Sequence, residues 1–278
     1  MYGYCYSLYN RLAFVVQDQA NPAQAFLDAT GITDETIVSA ITTLVADLQT
    51  YNLWGKMKAV YPFVGGTQET NKFNLINPQD TDEAFRLTFS GNWDYNNSGS
   101  GAKPDGFTGY ANTYLNPSQI LNQDSTHLSI FGQNVDVKGV DMGCIQFNDT
   151  STELSYRQSF ITAFAISGIN SSESISLRNG LEQDDYLIGS RIDNTTESYY
   201  TINDGNFQNI TKVSASLPYL PILIGARQTD LEGLEGFVID QFASKVYGFA
   251  SIGDGLDLTD ATNLLTSVST FLTTLNRL

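Results

Sequence analysis

Tyr186–Ser214 reads YLIGSRIDNTTESYYTINDGNFQNITKVS. Three runs inside it, Tyr186–Ile192, Ser198–Ile202 and Ile210–Ser214, are rich in β-branched and aromatic residues and are bounded by Asn, Asp, Thr and Gly clusters. Strands have this composition and these boundaries. Asp204-Gly205 supplies the positive φ angles of a type I′ turn, so the last two runs read as a hairpin.

The same pattern extends outward from about Tyr61 to Gly253. Ala84–Ser90, Thr126–Phe131, Gly139–Phe147, Tyr156–Ile166 and Ile175–Arg178 precede it, and Leu220–Ala226, Phe237–Ile239 and Lys245–Ile252 follow. Many short strands with no intervening helices predict a mainly β fold, an antiparallel jelly-roll sandwich rather than a parallel α/β sheet. Gly91–Gly109 (GNWDYNNSGSGAKPDGFTG) is rich in turn formers and is predicted to be a long loop, and Gly65-Gly66 a turn.

Both ends change period. Asn21-Pro22 places an N-cap before a first-position proline, and Gly31 offers a stop. Thr33 is the expected cap of a longer helix, with Ile37, Ile41, Leu44, Val45 and Leu48 as its apolar stripe. Near the other end Thr259 is the expected cap of a helix striped by Leu264, Leu265, Val268, Phe271, Leu272 and Leu275. One domain, residues 21–278, follows, with a helical lead-in over 21–55 and a C-terminal helix over 259–276. Residues 1–20 (MYGYCYSLYNRLAFVVQDQA) stand apart as an edge strand or an attachment or oligomerisation arm.

Composition limits the function. Of 278 residues 41% are apolar and 12% aromatic, enough for a sizeable core, whereas only 16% are charged. With 30 acidic and 14 basic residues the net charge is −16, and the basic residues are scattered singly. A nucleic-acid binder needs a basic footprint to displace counterions, so DNA, RNA and anionic membranes are not expected partners. Cys5 and Cys144 are too few for a disulfide framework and are expected as thiols. No apolar run reaches the ~18 residues of a membrane span, and Met1–Gln17 has no signal-peptide pattern.

A search for catalytic groups finds little. His127 is the one histidine, and in STHLSIF it alternates with Leu128 and Ile130, as a hydrogen-bonded structural residue would. Glu232 with Glu235 in DLEGLEG, and Asp184 with Asp185 in EQDDY, are the closest carboxylate pairs to a glycosidase arrangement, and neither has an obvious cleft-facing spacing. Asp254, Asp257 and Asp260 recur every third residue without the EF-hand pattern; no cofactor is indicated, and calcium stays open. The remaining signal is aromatic. Trp93 and Tyr95, with Asp105 and Tyr110 following, are the candidate ligand-binding residues, a platform on which a sugar ring would stack, unless Trp93 anchors its loop to the core.

Two stretches carry a family resemblance. Gln24–Thr67 (QAFLDATGITDETIVSAITTLVADLQTYNLWGKMKAVYPFVGGT) continues into Lys72–Trp93 (KFNLINPQDTDEAFRLTFSGNW), and Phe249–Arg277 reads FASIGDGLDLTDATNLLTSVSTFLTTLNR. Together they resemble a group of phage tail and other virion proteins in which such segments frame a concanavalin A-like or laminin G-like sandwich. The match is close at both ends and only in outline over about residues 95–245. It implies a virion location, after assembly in a bacterial host's cytoplasm, with a display or adhesion role, and it carries over no catalytic residue. The wording shared after the tryptophan favours a scaffold role for Trp93. The chain departs from the family at its start, since relatives often carry this module at the end of long tail proteins.

The expectation is therefore a non-enzymatic virion subunit: a tail, head-fibre or decoration component, homo-oligomeric and bound to other virion proteins. The alternative is a carbohydrate-binding module for host surface glycans, and a polysaccharide-degrading enzyme is a third reading.

Overall fold

A computed structural model describes residues 21–96, 99–133, 139–146, 150–158, 163–171, 175–176, 184–201, 207–230 and 236–278. The arm expected over residues 1–20, Cys5, the Asp204-Gly205 turn and the Glu232/Glu235 pair lie outside the described residues.

Helix α1 (Pro22–Thr30) begins as its sequence dictates: the Asn21 side chain accepts the Ala23 N–H at 3.1 Å, and Gly31 closes it at φ 66°. Helix α2 (Glu35–Thr50) starts one residue later than expected. Asp34 rather than Thr33 caps it, accepting the Ile37 N–H at 3.0 Å. Its stripe of Ala40, Ile41, Leu44, Val45 and Leu48 is buried. Two single-turn helices follow, α3 (Gln68–Asn71) and α4 (Pro117–Ile120). Helix α5 spans Leu258–Thr274, and its cap is Asp257, not Thr259. Asp257 accepts the Asp260 N–H while the Asp260 carboxylate accepts the Asp257 N–H, a reciprocal capping box. A carboxylate there also faces the positive end of the helix dipole, which a threonine hydroxyl does not match. Among the described residues no helix is long and apolar enough to cross a membrane.

The strands form two facing sheets. One has six strands in the order β1 (Met57–Tyr61), β17 (Val246–Gly253), β6 (Thr126–Gln133), β11 (Asp184–Arg191), β12 (Thr196–Thr201) and β13 (Phe207–Thr211). The other runs β10 (Ile175–Ser176), β9 (Ala163–Ser171), β8 (Thr150–Gln158), β7 (Met142–Gln146), β14 (Leu223–Ile224), β5 (Tyr110–Asn112) and β2 (Thr88–Ser90). Beside it lie β15 (Arg227–Asp230) and β16 (Phe237–Asp240), and β3 (Trp93–Asp94) pairs separately with β4 (Lys103–Pro104). Among the described residues pairing is antiparallel except β15 with β7. There the chain reverses at Gly225, whose φ of 83° suits glycine alone, so β14 and β15 meet the same neighbour in opposite senses.

Alternation along β6 divides the interior. Leu128 and Ile130 face the second sheet and pack with Met142, Cys144, Ile169 and Ile224. Phe131, on the opposite face, packs with Phe249 and Tyr186 against Ile41, Leu44, Leu264 and Phe271 of α2 and α5. The molecule is thus three layers, helices on sheet on sheet, and the six-stranded sheet is buried on both faces. Each fully buried Leu, Ile or Phe contributes about 1.5–3 kcal/mol of apolar transfer. Helices α2 and α5 pack on each other and form the helical layer.

Several expected strands change. Tyr156–Ile166 crosses a hairpin, β8 to β9, rather than forming one strand. Ala84–Ser90 is strand only over its last three residues, because Phe85 takes a left-handed φ of 57°. The Asn74 side chain donates to the Ala84 carbonyl at 3.0 Å, holding that bend. The stretch Met57–Tyr61 supplies an unforeseen edge strand, and Gly91–Gly109 is not wholly irregular, containing β3 and β4.

Candidate functional site

A cavity of about 520 Å³ opens where the α1–α2 turn, the Gly65-Gly66 turn, the loop after β3 and the residues after α5 meet. Its making begins at the end of β1, where Phe63 (φ 45°), Gly65 (φ 86°) and Gly66 (φ 69°) turn the chain with left-handed residues. A Cβ at Gly66 would lie 2.9 Å from Asn96 Oδ1, so glycine is what lets the two walls approach. Thr67 then caps α3 through a reciprocal bond with Thr70. That short helix holds Tyr95 from below: the Tyr95 hydroxyl donates to Gln68 Oε1 at 3.0 Å, and the Asn71 amide donates to the Tyr95 carbonyl at 3.1 Å. Partial burial raises the Tyr95 hydroxyl above its ordinary pKa.

Arg277 closes the cavity from the other side. It is 6% exposed and donates to the carbonyls of Gly99 (3.1 Å), Pro62 (3.3 Å), Gly248 (3.1 Å) and Phe63 (2.9 Å). Desolvation pushes its guanidinium down to about 10. Cavity wall, aromatic ring and cation therefore come from segments that are remote in the sequence.

Of the aromatic platform expected from the sequence, the structure brings together Trp93 and Tyr95. Their rings stack at 6.3 Å with 15° between planes, and Phe89 meets both edge-on. Trp93 is half-buried, its Nε1–H donates to the Ser90 carbonyl at 3.1 Å, and a Cβ at Gly225 would touch its ring at 3.4 Å. It anchors the loop, and Tyr95 is the member that lines the cavity. Asp105 faces its own loop: it accepts the N–H groups of Phe107, Thr108 and Gly109 at 2.7–2.9 Å. Desolvation is the largest single influence and raises its carboxyl, but these donors together outweigh it and hold the group well below the usual range. Tyr110 packs on Phe242 rather than joining Tyr95. The knot at Asp105 presents Phe107, 81% exposed, which sequence reading had missed. Arg277 and Asn96 were also missed; a basic residue ending an amphipathic helix reads as an ordinary dipole partner until tertiary packing buries it.

The other candidates are accounted for individually. His127 is buried, with Nδ1 2.6 Å from the Asp254 carbonyl and Nε2 3.0 Å from Ser251 Oγ. Asp254 pairs with Lys58 at 2.9 Å, Asp260 pairs with Lys56, and Asp257 caps α5, so the three aspartates do not converge. Among the described residues no three His, Cys, Asp or Glu side chains gather as a metal site. Asp184 and Asp185 open β11, opposite Gln133 and Gly132 of β6. Cys144 is buried between the sheets.

No protein-family model matches the sequence, and no curated protein matches it significantly. Among solved structures the chain is similar to a Trypanosoma rangeli sialidase variant displaying trans-sialidase activity, with 8% identity over 84% of this chain and 39% of that one and a TM-score of 0.50. It is also similar to domain 4 of an extracellular arabinanase from Geobacillus stearothermophilus in complex with arabinotriose (13% identity, 76% and 98% covered, TM-score 0.49). The LG4-5 domains of the mouse laminin α1 chain are more distant (13% identity, 49% and 37% covered, TM-score 0.32). At these identities the likeness is one of fold. Sheet order and this likeness together give a mainly β, antiparallel jelly-roll sandwich.

Proposed function

We propose that the chain is a non-catalytic, lectin-like recognition domain that holds a glycan in the cavity beside Tyr95. The observation that carries this is the cavity's wall: an aromatic ring set among Asn96, Thr36, Thr70 and glycine backbone, the mixture of flat apolar face and small polar groups that a sugar ring needs. A binding role suits it better than catalysis because a glycosidase needs two carboxylates across the scissile bond, and among the described residues Asp34 is the one carboxylate that lines the cavity. Fold alone would not decide this, since sandwiches host both activities.

The test is a glycan array, with and without calcium, followed by titration of any hit. Tyr95→Ala is expected to weaken binding roughly tenfold, about 1.4 kcal/mol, in protein that circular dichroism shows to be folded. Failure to retain any glycan overturns the reading, and sugars released from host capsule would replace it with an enzyme.

The resemblance of the two end segments to phage virion proteins supports a finer setting: display on a particle, with residues 1–20 as the attachment arm. Deleting those residues is then expected to abolish incorporation into particles while leaving a folded domain. Normal incorporation would refute it.

A further inference from the structure

We propose that this cavity selects acidic glycans, taking the carboxylate of a sialic or uronic acid residue toward Arg277 and the N-terminal end of α2. The inference rests on the glycan reading above and narrows its ligand class. Two other buried cations show what is unusual here. Arg191 is matched by Glu197 at 3.3 Å and Lys245 by Asp141 at 2.7 Å, each pair almost wholly buried. Arg277 is nearly as deep, yet among the described residues it pairs with carbonyl dipoles and with no carboxylate. A guanidinium has five N–H donors, and four are engaged, leaving one and a full positive charge beside the cavity. Removing a cation from water without a counter-ion is costly, and an anionic ligand would supply the missing partner.

A further feature acts in the same direction. Thr36 and Ile37, in the first turn of the 16-residue α2, line the same cavity, where the helix dipole places partial positive charge. Opposite them the left-handed Gly65-Gly66 pair lines the cavity with backbone alone, which leaves room for a ligand there. Two groups oppose the ligand: Asp34, the cavity's one lining carboxylate among the described residues, exposed and bonded to the Ile37 N–H, and Glu35, exposed in the first turn of α2. The chain's charge of −16 also repels acidic ligands at long range. Salt screens that repulsion beyond about 8 Å at 0.15 M, so the local contacts decide.

The experiment is isothermal titration of the full chain at that ionic strength with paired probes of closely similar shape and different charge: trigalacturonate against its methyl ester, and 3′-sialyllactose against its methyl ester. The acidic member of at least one pair is expected to bind about tenfold more tightly. Two substitutions adjust the charge without weakening the helix. Asp34→Asn keeps a good N-cap and is expected to tighten the acidic ligand about threefold; Thr36→Glu, favourable in a first helical turn, is expected to weaken it about tenfold. Equal binding of acid and neutral partner, or acidic binding indifferent to both substitutions, overturns the inference and leaves the glycan reading intact. No binding of any glycan removes both.

Discussion

The Asp254 carbonyl can only accept, so His127 carries its hydrogen on Nδ1 and accepts at Nε2 from the Ser251 hydroxyl. Ser251 in turn accepts from Ser129 at 2.6 Å, and Ser129 from the Tyr186 hydroxyl at 2.9 Å. The chain runs one way, and a second proton on Nε2 would face a hydroxyl already oriented toward it. Desolvation depresses the folded pKa of His127 to about 4, against a partial pull upward from Asp254. The unfolded chain, near 6.5, takes the proton first. Stability is therefore full above pH 6.5 and is lost as pH falls through 6.5 to about 4, by about 3 kcal/mol. Urea unfolding at pH 7, 5.5 and 4.5 checks this against His127→Gln, in which that share of the acid sensitivity should vanish. Parallel pH profiles for the two proteins would sink the assignment. The structural role of His127 was legible in STHLSIF, but its acceptor lies 127 residues away, and only β17 beside β6 reveals it.

At the scale of elements, the caps give the sharpest test. Asp257→Ala removes the side chain that bonds the Asp260 N–H and is expected to cost about 1 kcal/mol. Thr259→Ala, at the position the sequence favoured, should change stability by only a few tenths on the same scale. Thermal melts of the two variants decide it, and the reverse order would refute the cap. The helices and their stripes were legible because burial on one side imposes a 3.6-residue period. The strands were less so. Tyr156–Ile166 reads as one run because β8 and β9 are both apolar-polar mixtures, with the turn between them unmarked by glycine or proline. Ala84 was read as strand because its bend is held by Asn74, a distant side chain. The site fared similarly. Tyr95 was found from local aromatic content, whereas Arg277 and Asn96 became visible only when four segments converged.

The whole molecule depends on a middle sheet shared by two cores, and on the buried Arg191–Glu197 pair, which helps to tie the sheets. Glu197 on β12 accepts the Ile169 N–H of the opposite sheet at 2.7 Å and the Tyr199 hydroxyl at 2.6 Å, while Arg191 on β11 donates to the Ile169 carbonyl at 2.8 Å. The pair thus gives β9 the two backbone bonds that a neighbouring strand would have provided. Burying both charges gains little by itself, but removing one leaves the other uncompensated at about 3–5 kcal/mol. Glu197→Gln is expected to cost that much, and Glu197→Leu combined with Arg191→Leu less than the sum of the two singles, because neither charge is then stranded. Urea unfolding followed by tryptophan fluorescence and by far-ultraviolet circular dichroism should shift together for each variant. Trp93 reports the sandwich and Trp54 the helix–sheet layer, and the sheet between them passes any loosening of one core to the other. Separate transitions by the two probes, or a Glu197→Gln cost below about 1 kcal/mol, would show that the layers fold as independent units and that the pair is not their tie.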